Sequence, residues 1–599
     1  MQRRWAVGVC LALLGVAAVG GSSAGAVARE RPNVLVILSD DQGWGDLSIN
    51  GNTNLATPNI DSIGRSGAVL ERFYVCPVCS PTRAEFLTGR YHPRGGVRDV
   101  STGGERLDLD ERTLAQLFRT AGYRTGAFGK WHNGTQWPYH PNARGFEEYY
   151  GFTSGHWGDY FSPPLDHNGR PATGRGFLAD DLTEHAMRFM ERRRSEPFLC
   201  YVPFNTPHSP MQVPEKFWKR FADRPLSLRA DAANPENLDF TRAALAMCEN
   251  LDWNVGRLLR KLDELNLSEN TVVLYFSDNG PNAFRWNGGM KGRKGTVDEG
   301  GVRSPFLIRW PGRIRPGQRV SEIAGAIDLL PTLCSIAGVP VPSDRSLDGK
   351  DLSPLLLGRP DGGGWPDRRI FSHWAGRVGV RTQRYRLDAT GALFDLLRDP
   401  GQKRDVSAVY PGVARELREA VAAWRAEMLP QLGPDSRPFT VGDHRFPLTQ
   451  LPARDGRAAG GIRRSANAPN CSYFTNWTSP ADRITWNVEV LTAGTYEAEV
   501  LYACPSENVG CTVRLSLGDR SVERTVDQPH DPPLRGAEND RVRRAGESYV
   551  KAFRPYRLGR IRLPAGTGPL TLSAPRIPGR GAIEVRGLQL TLKSSGSAE

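Results

Sequence analysis

Cysteine is scarce in this sequence, 9 in 599 residues, and histidine nearly as scarce at 10. So few cysteines over such a length exclude a small disulfide scaffold. Zinc-finger spacing and RNP-like aromatic motifs are both missing, and Lys and Arg are scattered, which excludes a dedicated nucleic-acid reader. Long hydrophobic runs are missing too. The charge-free stretch Val7 to Val19 is too short for a comfortable membrane span. Arg3 and Arg4 precede it, and Ala24-Gly25-Ala26 or Ala26-Val27-Ala28 offers a cleavage site, so residues 1–28 read as a signal peptide, with an uncleaved anchor as the alternative. Cys10 lies inside the apolar run, which argues against a lipoprotein signal. Beyond the leader stand Cys76, Cys79, Cys200, Cys248, Cys334, Cys471, Cys504 and Cys511. Cys504 and Cys511 are close enough in sequence to pair, whereas Cys200 and Cys334 sit in apolar stretches and read as buried thiols.

Hydrophobic residues make up 39% of the chain and charged residues 24%, the balance of a folded protein. The length calls for several domains. A formal net charge of +13 favours anionic partners: sulfated, phosphorylated or carboxylated.

Residues 29–340 have the pattern of an α/β domain. Val34 to Leu38 and Val272 to Phe276 are continuous apolar runs, as in parallel strands buried on both faces. Thr125 to Phe128 and Phe198 to Phe204 are further strands; Thr113 to Ala121 is a helix. A long amphipathic helix is expected from about Ala246, with Leu251, Val255, Leu258, Leu259 and Leu262 on one side. Residues 341–443 read as a small α+β subdomain, with strands in Val378 to Leu387 and Ala392 to Leu396 and a helix in Val413 to Leu432. The polar, Pro/Gly-containing stretch 444–468 reads as a linker. Residues 469–595 carry many short alternating runs divided by Gly and Pro, the pattern of an antiparallel β-sandwich that could bind glycan.

Two acidic clusters follow buried strands, Ser39-Asp40-Asp41 and Ser277-Asp278-Asn279-Gly280. In a parallel sheet such strand ends form the ligand site. Adjacent carboxylates repel, and a hard cation taking oxygen ligands would neutralise them. A third cluster is Cys79-Ser80-Pro81-Thr82-Arg83 with Leu87-Thr88-Gly89-Arg90, where Arg83 could activate a cysteine.

The third cluster resembles the modification signature of the type I sulfatases, C-x-P-x-R followed by T-G-R. Gly129-Lys130-Trp131-His132, Pro207-His208-Ser209-Pro210 and Lys294-Gly295-Thr296 with Glu299-Gly300-Gly301-Val302-Arg303 resemble three more motifs of that family, and both acidic clusters resemble its metal segments. Leu393-Phe394-Asp395-Leu396 and Asp399-Pro400 fit its C-terminal subdomain. The resemblance runs over about residues 31 to 435.

It implies an alkaline-phosphatase-like α/β sandwich with a mainly parallel central sheet, followed by the small subdomain; nothing in it explains the appended β-sandwich, which rests on the alternating runs alone. It implies oxidation of Cys79 to formylglycine, whose hydrate is the nucleophile, beside one Ca2+ (Mg2+ being the other option) held by Asp40, Asp41, Asp278, Asn279 and the modified Cys79. Arg83, Lys130 and Lys294 would hold the modified residue and the sulfate. His208 would protonate the leaving alcohol, and His132 would act as base. Lys291 competes with Lys294 for its role.

Trp157 and Tyr160 could line a sugar subsite, and His373 and Trp374 could face the same pocket. The implied substrate is a sulfated carbohydrate or another sulfate ester. The implied partners are the export machinery and a formylglycine-generating or anaerobic sulfatase-maturing enzyme, with no nucleic acid. The rivals are a small-molecule arylsulfatase, a phosphate or phosphonate ester hydrolase on the same fold, and a silent glycan-binding homologue. Export points to the periplasm or the extracellular space.

Overall fold

A computed structural model describes residues 31–228, 234–358 and 365–593. The leader expected over residues 1–28 lies outside them. No helix among the described residues is long and apolar enough to cross a membrane.

The first domain is built on an eleven-stranded sheet. Its centre is four neighbouring parallel strands in the order Thr271–Ser277, Asn33–Ser39, Phe198–Pro203 and Arg124–Lys130. All seven residues of Asn33–Ser39 and of Thr271–Ser277 are buried. Alternate side chains serve opposite faces of a strand, so Val34, Val36 and Leu38 join one core while Leu35 and Ile37 join the other. Helices Leu178–Arg192 and Leu238–Glu264 cover the second face. Helices Cys79–Thr88, Leu114–Thr120 and Leu329–Ala337 cover the first. Covering on both faces explains the unbroken apolar runs.

The long helix begins eight residues before the expected Ala246. The Asn237 side chain caps it by accepting from the Phe240 N–H, and Leu245 packs in its buried face. The sheet is antiparallel where Phe306–Arg309 inserts between Thr271–Ser277 and Ala68–Tyr74.

The small subdomain is a four-stranded antiparallel sheet, Ile370–Trp374 to Leu393–Asp395, under helix Pro411–Met428. The last domain is a pair of six-stranded sheets around one core that includes Trp486, Tyr496 and Tyr502. Residues 444–468 are not a linker. Leu448–Pro452, Arg457–Ala459 and Arg463–Arg464 are strands paired into the sandwich, which starts as early as Phe439–Val441. Cys504 and Cys511 are neighbouring free thiols, not a disulfide, and Cys200 and Cys334 are buried thiols.

Candidate active site

The register aligns Ser39 with Ser277, so Asp40 and Asp278 leave the sheet side by side. Lys130 closes the strand Arg124–Lys130, and His208 follows Phe198–Pro203 by a short loop. The four central strands therefore deliver Asp40, Asp41, Asp278, Asn279, Lys130, His132 and His208 to one rim of the sheet. Cys79 reaches the same rim as the first residue of helix Cys79–Thr88, whose N-terminal partial positive charge faces an anion favourably.

Three carboxylates and three cations interlock below the surface. Arg83 donates from Nη2 to Asp278 Oδ2 at 2.7 Å and from Nη1 to the Lys130 carbonyl at 2.9 Å. Lys130 Nζ lies 2.6 Å from Asp40 Oδ2, and Lys294 Nζ 2.6 Å from Asp41 Oδ1. The Asn279 amide donates to Asp41 Oδ1 at 2.8 Å. Thr82, which sequence reasoning passed over, donates from Oγ1 to the Asp278 carbonyl at 2.6 Å and so ties the Cys79 helix to the second acidic cluster.

Burial and the neighbouring Asp278 carboxylate push Asp40 up to about 8. Burial would raise Asp41 too, but His208, Lys294 and the Asn279 amide hold it below the ordinary carboxylate value.

Asp40 Oδ1, Asp41 Oδ2 and Asn279 Oδ1 are all buried with no hydrogen-bond donor. His208 Nε2 approaches Asp41 Oδ2 only to 3.5 Å, an ion-pair distance rather than a hydrogen bond. Cys79 Sγ and oxygens of Asp40 and Asp278 lie within 4.8 Å of one another. Orphaned buried oxygens are costly, and a set of hard oxygen donors on three carboxylates and an amide fits a divalent cation such as calcium or magnesium.

Burial raises the Cys79 thiol pKa despite Lys130 and Lys294 nearby. A neutral thiol is a weak nucleophile, so the unmodified side chain is not an activated cysteine.

The histidines are held by backbone. His208 Nδ1 bonds the Ser209 carbonyl at 2.7 Å, leaving Nε2 toward Asp41. His132 Nε2 bonds the Val100 carbonyl at 2.8 Å, and its buried Nδ1 has no partner. Burial drives His208 down to about 4 and His132 well below its ordinary value, with Lys130 lowering both. Asp41 and His132 take left-handed backbone, φ 65° and 66°. Such geometry costs on the order of 1 kcal/mol each and concentrates at functional sites.

Other expected residues fall elsewhere. Tyr160 is fully buried and donates to the His208 carbonyl at 2.9 Å, so it braces the histidine loop and does not face a sugar. Trp157 is half-buried and stacked on Phe152 at 5.1 Å. His373 lies against His92, Nδ1 to Nε2 at 3.2 Å, in the interior of the small subdomain contact and not at the pocket; Trp374, the next residue on the same edge strand, pairs with Arg377. Lys291 Nζ sits 3.4 Å from both Asp298 and Asp388, outside the cluster that Lys294 joins.

His156 was missed. Its ring stacks on His208 at 5.8 Å, and its buried Nε2 has no partner. In the sequence it stands directly before Trp157, and that neighbourhood is its one signal.

The sulfatase family profile matches residues 32–339, and a profile described as N-sulphoglucosamine sulphohydrolase, C-terminal, matches 293–427. The chain is 34% identical over 400 residues to the N-acetylgalactosamine-6-sulfatase of Canis lupus familiaris, covering 60% of this chain and 71% of that one. It is 31% identical over 472 residues to arylsulfatase A of Homo sapiens, covering 67% and 88%. The crystal structure of Ps i-CgsB in complex with k-i-k-neocarrahexaose superposes with a TM-score of 0.62 at 29% identity, covering 67% of this chain and 94% of that one. With its fold, its rim of acidic and basic side chains and these relatives in agreement, the chain belongs to the sulfatase family and is a sulfuric ester hydrolase.

Proposed function

We propose that this protein removes sulfate from sulfated carbohydrates, with Cys79 converted to formylglycine and one calcium ion held by Asp40, Asp41, Asp278 and Asn279. The observation that carries this reading is the meeting of Cys79 Sγ with Asp40 and Asp278 beside three orphaned ligand oxygens. When present, the hydrated aldehyde supplies a hydroxyl nucleophile and the cation supplies Lewis acidity toward sulfur's oxygens.

The chain's own groups do the rest. Arg83 fixes Asp278 and the Lys130 carbonyl, and so holds the Cys79 helix against the acidic rim. Lys130 and Lys294, which pair with Asp40 and Asp41 here, would turn to the sulfate oxygens as charge builds in the transition state once those carboxylates are ligands to a cation. His208 donates a proton from Nε2 to the departing alcohol oxygen; Asp41 and an arriving anionic ester both favour its protonated form. His132, held neutral by burial, would take the proton of the remaining hydroxyl at its unpartnered Nδ1, so that the C=O of the aldehyde re-forms as the carbon–oxygen bond to sulfate breaks.

A carbohydrate substrate is supported by the basic charge and by the sulfated-sugar names of relatives such as the N-acetylgalactosamine-6-sulfatase. Maturation by a formylglycine-generating or anaerobic sulfatase-maturing enzyme, and export through the N-terminal leader to the periplasm or cell exterior, belong to the same proposal.

The test is desulfation of a panel of defined sulfated sugars, run beside matched phosphate esters and a synthetic aryl sulfate. Sugar sulfates are expected to turn over and phosphate esters to lag. Cleavage of aryl sulfate alone would end the carbohydrate reading, and faster phosphate ester cleavage would end the sulfate reading.

A further inference from the structure

The two family profiles together span residues 32–427, which leaves the β-sandwich unmatched by them. That sandwich does not hang behind the catalytic domain. It grips the segments that carry the site histidines.

On the His208 side, Arg541 N donates to the Met211 carbonyl at 2.8 Å, and Gln212 Nε2 donates to Asp540 Oδ1 at 2.8 Å. The Ser209 hydroxyl donates to Glu547 Oε1. On the His132 side, the Ser154 hydroxyl donates to the Asn470 carbonyl at 3.4 Å, and Cys471 Sγ lies 3.2 Å from the His156 carbonyl. A Cβ on Gly155 would sit 2.5 Å from Asn470 Nδ2 and 2.7 Å from His132 Nε2, so those two side chains close on the same point.

The recess opens to solvent at Lys294 and His208, whose side chains are 21% and 11% exposed. Glu547 is half-buried at that opening, bonded to the residue next to His208. Its Oε2 has only a 3.4 Å contact with the Gly546 N–H and keeps capacity to accept. Burial would raise Glu547, yet the Ser209 hydroxyl and nearby His208 hold it ionised. Asn470 is 9% exposed, and its Oδ1 is buried without a donor. A carboxylate and an amide with spare acceptor capacity suit a leaving group rich in hydroxyls, because each sugar hydroxyl can donate. They offer little to a plain aromatic ring.

We propose that the β-sandwich forms the alcohol-side wall of the cleft, with Glu547 and Asn470 selecting a hydroxyl-bearing sugar as the group from which sulfate is removed. This rests on the sulfate-ester reading above. Neither residue takes part in bond making; both act on the specificity of the reaction.

The test compares kcat/KM on a set of monosulfated hexoses and on para-nitrophenyl sulfate for the mature full-length protein and for Glu547→Ala, Glu547→Gln and Asn470→Ala. The ratio of the best hexose sulfate to the aryl sulfate is expected to fall about tenfold or more in both alanine variants, equivalent to ~1.4 kcal/mol, and less in Glu547→Gln. If an alanine variant misfolds by circular dichroism, Glu547→Gln and Asn470→Asp carry the same comparison. Equal losses on both substrates, with the ratio held within about twofold, would make the sandwich only a brace and overturn the proposal. So would a parent enzyme that cleaves the aryl sulfate and no hexose sulfate. A parent inactive on both would overturn the sulfate-ester reading itself, and this proposal with it.

Discussion

Replacing Arg83 with methionine keeps much of the side-chain volume and removes the charge that stitches the site together. Asp278 Oδ2 would lose donors at 2.7 and 3.2 Å, and the Lys130 carbonyl would lose one at 2.9 Å. Arg83 and its partners are fully buried, so solvent cannot replace what is lost. Removing one partner of a buried ion pair costs about 3–5 kcal/mol, because the other charge is left uncompensated. Without metal, the three carboxylates would then face Lys130, Lys294 and, at 3.5 Å from Asp41, His208. A bound divalent cation would restore the balance, so the loss should be largest in EDTA and should shrink in excess calcium. Urea unfolding of parent and variant, followed through the transition that reports the catalytic domain, measures both values. An Arg83→Met protein as stable as its parent in EDTA, or a stability gap that calcium leaves unchanged, would refute the charge-balance reasoning.

Lys294→Ala should lower kcat on any sulfate ester by roughly a hundredfold, the scale of one lost transition-state contact, whereas Lys291→Ala, paired with Asp298 and Asp388, should stay close to the parent in the same assay. Gly155→Ala should cut turnover and lower the unfolding midpoint, since its Cβ would push against the buried Asn470 amide and against the His132 ring that the Val100 carbonyl holds; kcat and urea unfolding beside the parent check it. Burial raises Glu85 from 4.5 to about 8, so the folded protein keeps a proton that the unfolded chain releases. Stability is then full below the unfolded value and drains as pH rises toward about 8, by on the order of 1 kcal/mol per pH unit. Glu85→Gln should flatten that slope and raise stability near neutrality, as read from unfolding free energies across the same pH range.

The strand ends were the most legible part of the molecule. Val34 to Leu38 and Val272 to Phe276 are apolar throughout because helices cover both faces, and an acidic pair directly after each marks the carboxyl end of a buried parallel strand. What the pattern left open was distance. That Asp40 and Asp278 stand side by side depends on a seven-pair register, which composition does not encode. The stretch 444–468 reads as a linker because its strands lie at sheet edges, where one-sided pairing tolerates a linker's Gly, Pro and Arg content. Tyr160 reads as a ligand wall from sequence because an aromatic beside Gly and Asp is equally suited to that or to bracing a loop, and only its hydroxyl's bond to the His208 carbonyl decides. Glu547 and Asn470 left no local signal at all, since each meets the histidine segments across more than 300 residues of chain.

In the proposed function an oxidised Cys79 beside a cation carries out the hydrolysis. The direct measurement is the fraction of Cys79 in which sulfur and two hydrogens have been replaced by oxygen, read by mass spectrometry of the peptide spanning Cys79, across preparations made with and without a maturing enzyme, with the sulfate-ester turnover of each. Turnover should rise in proportion to the converted fraction and should be lost in Cys79→Ala. Full multiple turnover by protein carrying only the unmodified cysteine would contradict it.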